Sequence, residues 1–116
     1  MALSIEAVLI ETSRLDILKE FYRAGFDLDD PDTSDSEQVG FQIGDVYFGL
    51  ERVEVLPSPS RTMSLWFKVD DAQAMFDRLI ELGATPKDPP SDQDGEVIAS
   101  VYDPDGNSIG LISDSD

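Results

Sequence analysis

Apolar positions along the chain follow two periods, and the two periods alternate. Residues 3–11 are rich in Ile, Val and Leu and alternate loosely. They predict a strand with Val8 and Ile10 on one face and Ile5, Ala7, Leu9 and Glu11 on the other. Leu15, Leu18, Phe21 and Tyr22 then recur at helical spacing, with Ile17 at the edge of the stripe, and predict a helix over about residues 14–24. Thr12 or Ser13 is its expected cap, Asp16 stands three residues after Ser13 as in a capping box, and Gly25 is the expected stop. Phe26 and Leu28 predict a short strand before an acidic loop at 29–35. Period two returns over residues 38–43 and 46–53, and Gly44-Asp45 between them suits a two-residue hairpin turn.

The second half repeats this order. Over residues 62–69, Leu65, Phe67 and Val69 alternate with Ser64, Trp66 and Lys68. Asp70 or Asp71 is placed to cap a second helix running to about Leu82, with Ala72, Met75, Phe76, Leu79 and Ile80 as its stripe and Gly83 as its stop. Residues 85–95 hold Pro86, Pro89, Pro90 and several carboxylates, which predicts a loop with at most a short edge strand. Strands at 97–102 and 108–112 flank Asp-Pro-Asp-Gly-Asn at 103–107, where Pro104 fixes φ and its neighbours tolerate positive φ. Ile109 and Leu111 then share one face, and Ser108, Gly110 and Ile112 the other.

Strand, helix, short strand and hairpin thus occur twice, and Phe-Gly-Leu at 48–50 is echoed by Ile-Gly-Leu at 109–111. The only convincing linker is Leu-Pro-Ser-Pro-Ser at 56–60. Neither half could cover its own sheet. The expectation is a single α+β domain over 1–116, built from two βαβββ modules (about 3–54 and 62–113) joined by a linker at 55–61, whose sheets form an open, barrel-like trough with helices outside.

Charge changes the picture of partners. Eight Lys and Arg face 25 Asp and Glu, a formal charge of -17 over 116 residues, which sets aside nucleic acid and anionic membranes. The carboxylates are spread between periodic apolar segments, so disorder is expected only at 114–116 and in the acidic stretch 29–37. Salt adaptation accounts best for the acidity, because strong screening removes the self-repulsion of the compact state. The chain holds no Cys and no His. Disulfides and thiolate chemistry are excluded, as are the commonest metal ligand and the usual general base. No signal peptide or span-length apolar run is evident, and a cytoplasmic protein is expected.

Three features together resemble the vicinal oxygen chelate superfamily of glyoxalase I, bleomycin-resistance proteins and extradiol dioxygenases. They are Phe21-Tyr22 followed by Gly25, the Phe-Lys-Val-Asp-Asp junction at 67–71 with its helix ending at Gly83, and Asp-Pro-Asp-Gly-Asn at 103–107. The resemblance implies paired βαβββ modules and a frequent homodimer. It also implies metal ligands at four trough-facing strand positions, which are Ala7, Gly49, Ser64 and Gly110 in this chain. None of the four is a ligand for a transition metal. A hard cation held by oxygens would have Glu11 and Glu51, helped by Ser64 and Ser108, although two carboxylates at strand ends more commonly mark a solvated rim. No cofactor is therefore expected.

What remains is a small-molecule groove whose contact residues by parity are Leu9, Tyr47, Glu51, Ser64, Trp66, Lys68, Ser108 and Ile112. Trp66 offers a stacking face, Tyr47 a hydroxyl and Lys68 an anchor for an anion. The same residues admit structural readings: Trp66 as core filling, Lys68 in a rim ion pair with Glu11 or Glu51, Gly49 and Gly110 as points of sheet bending, and Asp103 and Asp105 as turn formers. The expected function is metal-free binding of a small aromatic or cationic molecule. The alternatives are a lyase, isomerase or dioxygenase with a non-standard site, and a non-catalytic structural or regulatory subunit.

Overall fold

The computed structural model describes residues 3–55, 58 and 63–115. Most of the expected linker at 56–60 and the first position of the strand expected from 62 lie outside the described residues. The chain divides into two compact units, residues 1–57 and 58–116.

In the first unit, β1 (Ala7–Thr12), α1 (Leu15–Gly25), β2 (Thr33–Ser34), β3 (Gln38–Ile43) and β4 (Val46–Arg52) form a sheet in the order β1-β4-β3-β2. β1 runs parallel to β4, with Leu9 beside Gly49, and β3 pairs antiparallel with both β4 and β2. A parallel pair needs a crossover, which α1 begins. Leu15, Leu18, Phe21 and Tyr22 are the buried stripe of α1, as the spacing predicts. The Tyr22 ring meets Phe48 edge-on at 4.9 Å and Phe21 at 5.1 Å, and stacks on Phe26 at 6.1 Å. Val39, Phe41, Phe48 and Leu50 are buried with them. Each such side chain contributes about 1.5–3 kcal/mol through burial.

The second unit repeats the plan with β5 (Ser64–Lys68), α2 (Ala72–Glu81), β6 (Thr85–Gln93), β7 (Glu96–Tyr102) and β8 (Ser108–Asp114) in the order β5-β8-β7-β6. β5 is parallel to β8. Leu79 of α2 and Ala99, Val101, Ile109 and Leu111 of the sheet are fully buried. Asp71 is the N-cap of α2 and accepts from the Ala74 N–H at 3.0 Å, while the Ala72 N–H donates to the buried Ser113 Oγ at 2.9 Å. Gly83, at φ +113, takes the chain out of the helix.

The DPDGN turn is closed from inside by one carboxylate. Asp103, 2% exposed, accepts at Oδ1 from the Asp105 and Asn107 N–H groups and at Oδ2 from the Asn107 side chain, each at 2.9 Å. Gly106 supplies the positive φ of +93.

Several local expectations are corrected. The N-cap of α1 is Arg14, with no side-chain cap, while Thr12 Oγ accepts from the Arg14 N–H at 2.9 Å. Gly25 is the last helical residue, and the left-handed position after it is Asp27, at φ 53. No strand forms at 26–28, because the Leu28 N–H turns back to the Arg23 carbonyl at 2.9 Å. The short strand β2 lies instead within the acidic segment. That segment is ordered by Asp35, whose Oδ1 accepts from the Glu37 and Gln38 N–H groups at 2.8 and 2.9 Å. Asp114, expected in a disordered tail, is the last residue of β8. The proline-rich stretch is a nine-residue strand, since an edge strand tolerates residues that cannot donate outward. Its pairing with β7 slips between Pro86 and Asp88 and again between Asp88 and Ser91.

Candidate functional site: the sheet faces turned away from the helices

The predicted contact residues fall on two sheet faces, one in each unit. On the first, Leu9, Tyr47 and Glu51 come from β1 and β4. Tyr47 folds across its own sheet: a Cβ built at Gly40 falls inside the Tyr47 ring, and one built at Gly49 lies 2.6 Å from Leu9 Cδ2 and 3.0 Å from Tyr47 Cε2. Glycine at both positions lets these side chains lie on the backbone. Glu11 stands beside Glu51 in register, an arrangement in which like charges oppose each other.

On the second face, Trp66 sits beside Gly110 in register, and a Cβ built at Gly110 falls inside the indole. One side of the ring therefore rests on β8, while Trp66 remains 55% exposed. Ser64 and Ser108 form the next row toward the DPDGN turn, their Oγ atoms 2.8 Å apart. In the opposite direction lie Ile112 and Lys68. Lys68 pairs with Asp114 at 3.0 Å, not with the glutamates considered from sequence, and both partners are exposed.

A residue missed by sequence reasoning completes this face. Lys87 donates from Nζ to Ser108 Oγ at 2.9 Å and stands 5.6 Å from the centroid of the Tyr102 ring. It is the extra residue between the pairs Pro86–Val101 and Asp88–Ser100. Neighbours in a regular strand point to opposite faces, and a bulge breaks that rule. Both Lys87 and Asp88 consequently engage partners on the Trp66 side, Asp88 accepting from Ser100 Oγ at 3.0 Å. The surrounding prolines masked the strand, so the only available signal was that the chain holds just three lysines.

The residues at the four implied metal-ligand positions do not fit a metal. Ala7 offers no donor, the side-chain space at Gly49 and Gly110 is taken by Leu9, Tyr47 and Trp66, and Ser64 is bonded to Ser108. Among the described residues no group of three or more His, Cys, Asp or Glu could hold an ion. Elsewhere, a cleft of about 580 Å³ opens at the start of α1 beside Arg14, Asp16, Ser36 and Arg52. Arg52 pairs there with Glu37 at 3.5 Å. On the same helix, the hydrogen bond from Arg23 holds the Glu20 carboxyl below its ordinary range, and Glu20 in turn raises Arg23. Neither feature adds to the sheet faces. No helix among the described residues is long and apolar enough to cross a membrane.

Comparison with known proteins agrees with this architecture. Residues 7–112 match the family model described as a glyoxalase-like domain. No curated protein matches the chain in sequence. Among solved structures, a glyoxalase-related enzyme from Fulvimarina pelagi superposes with a TM-score of 0.85 at 18% identity, covering 97% of this chain and 89% of the other. A glyoxalase/bleomycin resistance protein from Albidiferax ferrireducens T118 gives 0.81 at 19% identity, with coverage of 96% and 98%. The fosfomycin resistance protein FosX from Mesorhizobium loti gives 0.70 at 23% identity, with coverage of 98% and 92%. At these identities the likeness is one of fold.

Proposed function

This chain belongs to the glyoxalase-like domain family, and we propose that it is a metal-free binding protein that holds a small planar molecule against Trp66. The observation that carries this is the seating of the indole on Gly110 with half of the residue still exposed. A ring anchored on backbone loses little freedom when a guest stacks on its outer face, and stacking adds about 0.5–1.5 kcal/mol to the area buried. The polar groups around it are few and placed, as in other small-molecule sites.

Trp66 is the only tryptophan, so its fluorescence reports on this face alone. Titration with a panel of planar aromatic compounds is expected to give saturable quenching, and Trp66→Ala is expected to weaken binding about tenfold by calorimetry. A panel that leaves the emission unchanged sinks the proposal. The second reading is an enzyme, favoured by the name of the Fulvimarina pelagi structure. Stoichiometric metal in protein purified without chelator would replace the first reading with the second.

The acidity belongs to the same reading as salt adaptation. With a charge of -17, raising KCl from about 0.1 M to about 2 M is expected to raise Tm by several degrees, because screening lowers self-repulsion. A Tm that falls or stays level over that range would remove salt adaptation as the explanation.

A further inference from the structure

We propose that the guest of the Trp66 face carries an anionic group of the carboxylate type, held by Lys87 and Ser64; this deepens the binding reading above and rests on it. Lys87 Nζ has three donors, and Ser108 takes one of them. No carboxylate lies within ion-pair distance of Lys87 among the described residues, although the chain carries 25 Asp and Glu. Lys68 on the same face has its carboxylate in Asp114. Lys87 thus retains two donors and an uncompensated charge, steadied by Ser108 and by the Tyr102 ring.

Ser108, 7% exposed, is the fixed point of the arrangement. Its oxygen accepts from Lys87, so its own hydrogen is available to Ser64 Oγ, 2.8 Å away. With Ser108 as the donor of that bond, the Ser64 hydroxyl keeps its own hydrogen for a guest. Two ammonium hydrogens and one hydroxyl beside a stacking ring suit the two oxygens of a carboxylate borne by an aromatic system, and hydrogen bonds to a charged acceptor are the strong ones. Ser64 is two residues before Trp66 on β5, which places the anchor about 7 Å along the strand from the ring, the length of a small arene acid. Asp88 opposes this arrangement from the same face, with one oxygen engaged by Ser100. The anion is therefore expected toward Ser64 and the turn, not toward Ser100.

The test follows the single indole N–H signal of Trp66 by NMR while benzoate, benzamide and benzylammonium are titrated in turn. Benzoate is expected to bind about tenfold more tightly than benzamide, with benzylammonium weakest. Lys87→Gln is expected to bring benzoate to the level of benzamide, and Ser64→Ala to reduce its advantage in part. Lys87 is exposed on an edge strand, so the variant is expected to fold, which the amide spectrum verifies. Benzamide or benzylammonium binding as well as benzoate, or a benzoate preference that survives Lys87→Gln, overturns the anionic guest and leaves the Trp66 face standing. A signal that none of the three moves overturns both.

Discussion

Replacing Gly110 with valine is expected to destabilise the protein by about 2–3 kcal/mol and to shift the Trp66 emission to the red. The added Cβ falls inside the indole, so the ring must leave β8. Overpacking of this kind typically costs about 1–3 kcal/mol, and the displaced ring also exposes its inner face to water. The clash is with one side chain, so removing that side chain should relieve it. Trp66→Ala combined with Gly110→Val is expected to be less destabilised than the sum of the two single changes, by about 1–2 kcal/mol. Urea denaturation followed by circular dichroism, which does not depend on the tryptophan, measures all three. Strict additivity would mean that the ring does not rest on Gly110, and the proposed binding face would lose its foundation.

The second large effect is expected at Asp103. Its carboxylate answers three donors from inside the 103–107 turn. Asp103→Ala leaves those donors without it at a buried site, with an expected loss of about 3 kcal/mol, since each unsatisfied buried group costs about 1–3 kcal/mol. Asp103→Asn keeps one acceptor oxygen and should lose about half as much. Both changes are also expected to raise hydrogen exchange at the Asp105 and Asn107 amides, on either side of Gly106. An alanine variant as stable as the parent would mean that the backbone bonds of the turn, with Pro104 and Gly106, hold it without the carboxylate.

Much of the fold was legible because period two and period 3.6 each had buried side chains to mark them. The stripes Leu15–Leu18–Phe21–Tyr22 and Ile109–Leu111 needed no tertiary information. The two misread strands have a common cause. β2 and β6 pair through backbone groups at sheet edges, where side chains are polar or prolyl and leave no apolar period to read. At the site, parity assigned Trp66, Tyr47 and Gly110 to faces, but parity says nothing of how far a ring leans. Gly49 and Gly110 read as points of sheet bending in sequence, yet they are seats for neighbouring side chains. Lys87 was invisible because its direction depends on a register slip, and no local pattern in the 85–93 segment encodes where that slip falls. Lys68 found a partner in Asp114 because β8 continues two residues past Ile112.

The three prolines of β6 also govern what can be added to the second sheet. A strand docking along that outer margin would meet a strand that lacks three amide hydrogens and is made irregular by two slips against β7. Prolines on an edge strand work against fibril-like growth and strand donation along that border.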